Sequence, residues 1–159
     1  MVDNSTSRVM SYGYDWRDRR VTAAGAEAYF EKWTYDNLNR MTRSERYNTS
    51  ESGPLLSRND TLYDDLSRVY QRVSYAVDSS GTVGNALTDN LWYDPAGNQA
   101  KSLPSGSSLF SKTLYDSLNR PSRQYAGYDL DESSYADIGS VTDDTVLEQT
   151  EFTYDDASN

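Results

Sequence analysis

The side chains that could carry out chemistry in this 159-residue chain are carboxylates, hydroxyls and three lysines, because cysteine and histidine are absent. Those absences exclude thiol nucleophiles, histidine acid–base catalysis and the usual zinc ligands. None of Lys32, Lys101 and Lys112 follows a serine at the spacing of a Ser-x-x-Lys catalytic motif. Nothing marks two of the 25 acidic residues as a glycosidase pair. We therefore expect a protein that is not an enzyme and that needs no cofactor.

The net charge of −10 is unevenly distributed. Residues 1–123 hold 15 basic and 15 acidic residues, whereas residues 124–159 hold 10 acidic residues and no basic one. This balance argues against binding to nucleic acid phosphates. We predict that the acidic segment is a solvated loop of mutually repelling charges. A calcium site at Asp129, Asp131 and Glu132 is the alternative, although the spaced ligands of a calcium loop are missing.

Two further absences concern membranes and export. No apolar stretch approaches the ~18 residues that a membrane-spanning helix needs, so we expect no membrane insertion. The polar N-terminus, residues 1–11, lacks the apolar segment of a secretory signal peptide. An export signal, if the protein uses one, is expected elsewhere.

A Tyr-Asp pair recurs along the chain and indicates a repeat architecture. The third residue after each Asp is a small or turn-forming residue, and Arg follows it in four copies. The pairs are Tyr14-Asp15, Tyr35-Asp36, Tyr63-Asp64, Tyr93-Asp94, Tyr115-Asp116 and Tyr154-Asp155. The third residues after the Asp are Asp18, Asn39, Ser67, Gly97, Asn119 and Ser158, and the arginines are Arg19, Arg40, Arg68 and Arg120.

Each copy is typical of a β-hairpin. Trp33 and Tyr35 are two residues apart, as expected for side chains on one face of a strand. After the turn, residues 40–47 show a second strand pattern. We expect the Asp side chain to accept hydrogen bonds from backbone N–H groups two or three residues on. The third residue after the Asp is expected to permit a left-handed backbone.

Other positions of the repeat lead to further predictions. We expect Leu38, Leu66 and Leu118 to fold back from the turns onto the sheet. The Arg after each turn should lie over a neighbouring Tyr or pair with the Asp of the next copy. Loops are predicted at residues 23–28, 48–54, 78–85, 104–108 and, with the acidic charges, at about 127–146.

The repeated Tyr-Asp-x-x-Asn/Gly-Arg resembles the YD repeats, also called RHS repeats, of rearrangement-hotspot proteins, toxin-complex C components and teneurins. The resemblance covers the chain from about Tyr12 to Asn159. Two departures are visible, since the family's glycine occurs only at Gly97 and Asn98 stands in place of Arg in that copy. The resemblance implies an all-β fold of tandem β-hairpins, stacked into a curved antiparallel sheet strip that forms part of a shell.

The resemblance also implies one repeat region over residues 1–159. Its units lie near residues 12–25, 30–47, 60–77, 90–103, 112–125 and 150–159, and the sixth is expected to be truncated. Bacterial members often end their repeats with an Asp-Pro-x-Gly autoprotease segment. Asp94-Pro95-Ala96-Gly97 is similar to that motif, but it lies in register with the ordinary turns and has no second copy. We therefore interpret it as a turn.

The expected function is that of a structural module in a shell that encloses or delivers a polymorphic toxin or other cargo. The alternative is a carbohydrate or cell-surface binding module that uses exposed Tyr and Trp. The expected partners are other repeats of a longer chain, or a second copy joined through open strand edges. A toxin cargo and glycans are further expected partners. The resemblance implies an extracellular or cell-surface location.

Overall fold

The computed structural model describes residues 9–25, 29–129 and 138–155, and within these ranges the regular structure is entirely strand. The described strands form one antiparallel sheet in which strand order follows chain order. They are β1 (Met10–Tyr14), β2 (Arg20–Gly25), β3 (Phe30–Tyr35), β4 (Met41–Tyr47), β5 (Leu55–Tyr63), β6 (Val69–Val77), β7 (Val83–Tyr93), β8 (Gln99–Leu103), β9 (Leu109–Tyr115), β10 (Pro121–Tyr128) and β11 (Thr145–Glu151). The predicted all-β fold of tandem hairpins is confirmed.

The chain divides into two compact units. The first comprises residues 1–62 and 72–87, and the second comprises residues 63–71 and 88–159. Few apolar side chains are buried among the described residues of each unit, which fits a chain with 36% hydrophobic residues. In the described ranges they are Ala23, Leu55 and Val73 in the first unit, and Leu91, Ala100, Phe110, Tyr125 and Ile138 in the second. With so little apolar burial, strand pairing and polar contacts must contribute much of the stability.

The alanine-rich stretch at residues 23–28 was predicted to be a loop, and this prediction is wrong for its described part. Ala23 and Ala24 belong to β2 and pair with Tyr12 and Ser11 of β1. Ala23 also faces Glu31 of β3 and is 3% exposed. A small side chain suits this crowded position between two strands, so tertiary context overrides the low strand propensity of alanine. Residues 26–28 lie outside the described residues.

The predicted loop at residues 78–85 is wrong at its C-terminal end. A tight turn covers Asp78 to Thr82, and β7 begins at Val83. The predicted loops at residues 48–54 and 104–108 are turns between strands, as expected. Among the described residues, no helix is long and apolar enough to span a membrane.

Candidate functional site: the repeat turns and a buried lysine pair

The Tyr-Asp pairs lie where the first strand of each hairpin gives way to its turn. Strands β1, β3, β5, β7 and β9 each end on the Tyr of a pair, and Tyr154 follows β11 by three residues. In the turn at Asp116, the Asp N–H donates to the carbonyl of Arg120 at 2.9 Å and the Asn119 N–H donates to the carbonyl of Asp116 at 3.0 Å. The same two bonds recur in the turns at Asp15, Asp36, Asp64 and Asp94.

The backbone of these turns enters the left-handed region at the third residue after the Asp. The φ angle is +60° at Asn119, and a β-bulge follows between Pro121 and Arg123. A type I turn followed by one left-handed residue is the usual three-residue hairpin connection. The corresponding φ angles are +59° at Asp18, +64° at Asn39, +65° at Ser67 and +95° at Gly97. Residues that tolerate a left-handed backbone are therefore required at this position.

The Asp carboxylate closes the turn from inside. Oδ1 of Asp116 accepts hydrogen bonds from the N–H groups of Leu118 at 2.8 Å and Arg120 at 3.0 Å. The bonded N–H groups therefore lie two and four residues on, where two or three had been predicted. Hydrogen bonds from the Arg120 backbone, opposed by burial and aided by the Arg120 side chain, hold the pKa of Asp116 below its ordinary value.

The Arg that follows each turn pairs with the Asp of its own turn. Nε of Arg120 donates to Oδ2 of Asp116 at 2.8 Å, and Arg19, Arg40 and Arg68 repeat this bond. The carboxylate that these bonds use is that of the Arg's own turn, whereas the Asp of the next copy was one of two predicted alternatives. Asn98 substitutes for Arg, since its Nδ2 donates to Oδ2 of Asp94 at 2.9 Å.

Arg19, Arg68 and Arg120 also reach the next hairpin, where they lie over its Tyr ring as predicted. The guanidinium carbon of Arg68 is 4.6 Å from the centroid of the Tyr93 ring. The corresponding distances are 5.0 Å for Arg19 and Tyr35, and 4.2 Å for Arg120 and Tyr154. Arg19 also donates to the backbone carbonyl of Asp36 at 2.8 Å. Each of these arginines thus fixes its own turn and holds the neighbouring one.

The Tyr hydroxyl completes the link between hairpins. Tyr93 donates to the carbonyl of Val69 at 2.7 Å, and Val69 is the residue that follows Arg68. The same relation joins Tyr35 to Arg20, Tyr115 to Gln99 and Tyr154 to Pro121. In contrast, Tyr14 is 59% exposed. The two residues of the motif therefore have different structural roles. The Asp closes a turn, and the Tyr attaches that turn to the preceding hairpin.

The leucines of the turns were predicted to fold back onto the sheet, and this prediction is wrong. Leu38 is 65% exposed, Leu66 is 71% exposed and Leu118 is 65% exposed. These residues occupy the third position of a type I turn, which directs the side chain away from the strands.

The sequence also contains a turn of the same kind that the Tyr-Asp pattern does not include. Oδ1 of Asp78 accepts from the N–H groups of Ser80 at 2.8 Å and Thr82 at 2.9 Å. Gly81 has φ of +87°. The Asp78 N–H donates to the Thr82 carbonyl at 3.1 Å, as in the Tyr-Asp turns. An Asp with Gly three residues later was the signal, and Val77 stands where the other turns have Tyr.

In the first unit, Asp60 is held between two arginines. Arg43 lies 2.8 Å and Arg58 lies 2.7 Å from its carboxylate, which is 14% exposed. Burial raises the pKa of Asp60, but hydrogen bonds from Arg58 and Arg43 outweigh it and lower the pKa to about 2. The guanidinium of Arg58 also lies 4.5 Å from the centroid of the Tyr75 ring. Carboxylate, arginines and aromatic ring thus form one cross-strand polar cluster.

In the second unit, two lysines are buried side by side. Lys101 of β8 and Lys112 of β9 are directly opposite each other, with exposed fractions of 3% and 0%. Lys101 pairs with Asp129 at 2.8 Å and Lys112 with Asp144 at 2.7 Å. The centroid of the Phe110 ring lies 5.2 Å from the ammonium group of Lys101 and 5.0 Å from that of Lys112. We call these two ion pairs the lysine site.

The lysine site corrects the prediction that the acidic segment is only a solvated loop. The side chains of Asp129 and Asp144 are 9% and 1% exposed, because each neutralises a buried lysine. The segment also contributes strand β11, which pairs with β10 from Arg123 to Tyr128. Of the three residues of the calcium alternative, Asp129 is bound to Lys101, whereas Asp131 and Glu132 lie outside the described residues. Within the described ranges, no three potential metal-ligating side chains come together.

A cavity of about 820 Å³ lies in the second unit. It is lined by Arg68, Tyr93, Tyr115, Leu114 and Ile138, among others. The hydroxyls of Tyr93 and Tyr115 donate to backbone carbonyls of the preceding hairpins, and Arg68 pairs with Asp64. Its polar walls are thus the groups that link the hairpins.

Comparison with known proteins identifies similar structures but no similar sequences. No protein-family model matches the chain, and no curated protein matches it. The crystal structure of TcdB2-TccC3-Cdc42 contains a chain that is 14% identical, with a TM-score of 0.43 over 93% of this chain and 9% of that chain. In the crystal structure of TcdB2-TccC3-TEV the identity is 11% and the TM-score 0.33, over 94% of this chain and 11% of that chain. The chain spans about a tenth of the length of the chains it matches.

Proposed function

Because the chain is built of hairpins that resemble YD repeats in motif and fold, we propose that it is a non-catalytic structural module. It contributes a stretch of wall to a β-sheet shell that encloses or delivers a toxin or other cargo. The observation that carries this proposal is the attachment of one hairpin to the next. Arg68 closes its own turn through Asp64 and covers the ring of Tyr93, whose hydroxyl bonds to Val69.

The use of the acidic side chains supports the absence of catalysis. Asp15, Asp36, Asp64 and Asp116 each accept hydrogen bonds from their own turn and pair with the Arg of that turn. A carboxylate held by an arginine and two backbone N–H groups is a poor proton donor or acceptor near neutral pH. The repeated motif is therefore suited to building a wall.

The carbohydrate-binding alternative has less support, because arginines cover several of the aromatic rings that it requires. Arg20 lies 4.6 Å from the Trp33 ring centroid, and Arg68 lies 4.6 Å from that of Tyr93. Trp16 is 82% exposed, and the guanidinium of Arg17 lies 4.5 Å from its ring centroid. A glycan array tests the alternative, and binding that Trp16→Ala abolishes would favour it over a purely structural role.

Protease protection tests the shell proposal. The complete gene product that contains this chain is treated with protease, and survival of any cargo domain is followed by mass spectrometry. We expect the cargo to survive in the wild type and to be cleaved in the double variant Arg68→Ala/Tyr93→Ala, in which adjacent hairpins are less firmly attached. Leu118→Ala, at an exposed turn position, is the matched control. Cargo that is cleaved as fast in the wild type as when isolated would contradict the proposal.

The proposal includes the partners and the location that the resemblance implies. The partners are further repeats of a longer chain and the cargo, and the location is extracellular or at the cell surface. Surface labelling of producing cells checks the location, because a protein confined to the cytoplasm would not be labelled.

A further inference from the structure

The contact between hairpins at Asn98 differs from the others in its charge. In three other contacts an arginine pairs with the Asp of its own turn and lies over the Tyr of the next hairpin, as Arg68 does with Asp64 and Tyr93. Asn98 holds the equivalent position after Asp94, and its neutral amide donates to Oδ2 of that carboxylate at 2.9 Å. This contact therefore keeps a hydrogen bond of the motif but lacks its positive charge.

The Asp94 carboxylate retains acceptor capacity that the other turns use. At Asp116 the carboxylate accepts hydrogen bonds from two backbone N–H groups and from the guanidinium of Arg120. At Asp94 the donors are the N–H and the Nδ2 amide of Asn98, at 2.8 and 2.9 Å. A carboxylate can accept about four hydrogen bonds, so positions remain for a further donor. Among the described residues, no lysine or arginine forms a salt bridge with Asp94.

Tyr115, the next tyrosine of the repeat, shares a cavity with this carboxylate. Asp94 and Tyr115 both line the cavity of about 820 Å³ in the second unit. Burial, together with the negative charge of Asp94, raises the pKa of the Tyr115 hydroxyl. In the part of the chain that the structure describes, no arginine or lysine lies over the Tyr115 ring. A carboxylate and an aromatic ring that both lack a cation thus meet at one cavity.

The other charged side chain of the cavity wall does not offset Asp94. Arg68 lines the same cavity, but its guanidinium is paired with Asp64 at 2.7 Å. Of the charged side chains on the described wall, Asp94 is therefore the one without a counter-charge. Carboxylates and aromatic rings both attract cations, and most strongly where water is excluded. The wall thus favours a positively charged ligand.

The apolar residues of the cavity indicate the body of that ligand. Leu114, Ala100 and Ile138 line it, and the last two are only 4% and 7% exposed. Apolar walls with a few polar groups are typical of small-molecule sites, whose volumes are about 300–1,000 Å³. Because arginine supplies the cation in the other contacts, the fitting head group is planar and presents two parallel N–H groups to the carboxylate.

We propose that this cavity binds a small organic cation with a planar guanidinium or amidinium head group and an apolar body. The head group bonds to Asp94 and lies over the Tyr115 ring, as the arginines do in the other contacts between hairpins. The apolar body packs against Leu114 and Ile138. The ligand supplies the positive charge that the chain lacks at Asn98. This inference goes beyond the structural role and does not rest on it.

Calorimetric titration of the full chain with benzamidine tests the inference, because this molecule joins an amidinium to an apolar ring. Benzamide has nearly the same shape but no charge. We expect benzamide to bind about tenfold more weakly or worse, since it cannot form a charge-assisted hydrogen bond with the carboxylate. Equal affinities for the two compounds, or no binding of millimolar benzamidine, would overturn the inference.

Three variants test the position of the site. Asn98→Arg restores the arginine of the other turns, whose guanidinium should take the position of the ligand and weaken benzamidine binding about tenfold. Asp94→Asn keeps a side-chain oxygen that can close the turn, and it should cause a similar loss. Ser117→Arg adds the same charge at an exposed position of the neighbouring turn and should keep the wild-type affinity. Unchanged affinity in folded Asn98→Arg or Asp94→Asn, or an equal loss in Ser117→Arg, would overturn the inference.

An arginine side chain of a partner protein carries the same head group. A short glycine peptide with one central arginine separates this source from a free small molecule. We expect the peptide to bind more weakly than benzamidine, because a cavity of about 820 Å³ suits a compact ligand. Tighter binding of the peptide would overturn the assignment to a small molecule.

Discussion

The guanidinium of Arg120 lies 4.2 Å from the ring centroid of Tyr154, and the Tyr154 hydroxyl donates to the carbonyl of Pro121, the next residue along from Arg120. One residue pair thus combines a cation–π contact with a hydrogen bond on the adjoining peptide. Tyr93 with Arg68 and Tyr35 with Arg19 show the same relation. Loss of the Tyr hydroxyl and loss of the Tyr ring should therefore each lower the free energy of unfolding by a separate amount.

Tyr93 allows this separation to be measured. Tyr93→Phe removes the hydroxyl that donates to Val69 but keeps the ring, and it should lower the free energy of unfolding by about 1 kcal/mol. Tyr93→Leu also removes the contact with Arg68 and should cost a further ~0.5–1 kcal/mol. Urea denaturation measures both. Tyr70→Phe, at a more exposed tyrosine, is the control, and equal losses for Tyr93→Phe and Tyr70→Phe would contradict the assignment.

Gly97 isolates the backbone requirement of the turns. Its φ is +95°, and a Cβ added there would meet no atom within 4 Å, so any loss reflects backbone strain alone. Gly97→Ala should lower the free energy of unfolding by about 1–2 kcal/mol. Gly84 lies in β7, where an added Cβ would be 3.7 Å from the nearest atom, the Ala76 carbonyl oxygen. Gly84→Ala should therefore be neutral or slightly stabilising. Thermal denaturation of the two variants and the wild type measures both effects.

The buried pair of Lys112 and Asp144 should be sensitive to the loss of one partner and tolerant of the loss of both. Asp144→Asn removes the carboxylate charge 2.7 Å from a buried ammonium and should cost about 3–5 kcal/mol. Lys112→Met/Asp144→Leu should lie within about 1 kcal/mol of the wild type or above it. The exposed pair of Arg123 and Glu151 is the control, for which Arg123→Met should cost less than about 1 kcal/mol. Denaturant titrations measure these changes in the free energy of unfolding. A double variant that loses at least as much stability as Asp144→Asn would contradict this expectation.

Asp60 predicts a specific response to acid. Its pKa is about 2 in the folded protein against an ordinary value of 3.8, so the folded state binds fewer protons than the unfolded state. The stability that Asp60 contributes is present above pH ~4 and is lost as the pH falls towards 2. The free energy of unfolding should fall less steeply over this range in Asp60→Asn than in the wild type. The exposed Asp65→Asn variant should keep the wild-type slope, and identical slopes for all three proteins would contradict the prediction.

Strand β11 should promote association of the isolated chain. It is the last strand in the order of the sheet, with β10 as its neighbour there, and all seven of its residues are exposed. Such an edge is a template for pairing with another chain. We expect light scattering to show dimers or larger species at high concentration, and Leu147→Lys to reduce them. Leu118→Lys, at a turn, should leave association unchanged, and a clean wild-type monomer at high concentration would contradict the prediction.

The sequence was sufficient to predict the hairpins but not the contacts between distant parts of the chain. Asp36, with Asn39 three residues later, determines a turn locally, so its position could be predicted. The opposition of Lys101 and Lys112 depends on the register across the turn at residues 104–108. Their counter-charges lie 28 and 32 residues away, and no local pattern specifies them.

The turn at Asp78 shows that the chain can reverse direction without a tyrosine. Val77 precedes Asp78 there, yet the backbone hydrogen bonds match those of the turns that follow Tyr35 and Tyr115. Within the Tyr-Asp motif, the Asp therefore determines whether a single hairpin forms, and the Tyr determines how firmly that hairpin is attached to its neighbour. Substitution of one Tyr would weaken the contact between two chosen hairpins while every hairpin continues to form.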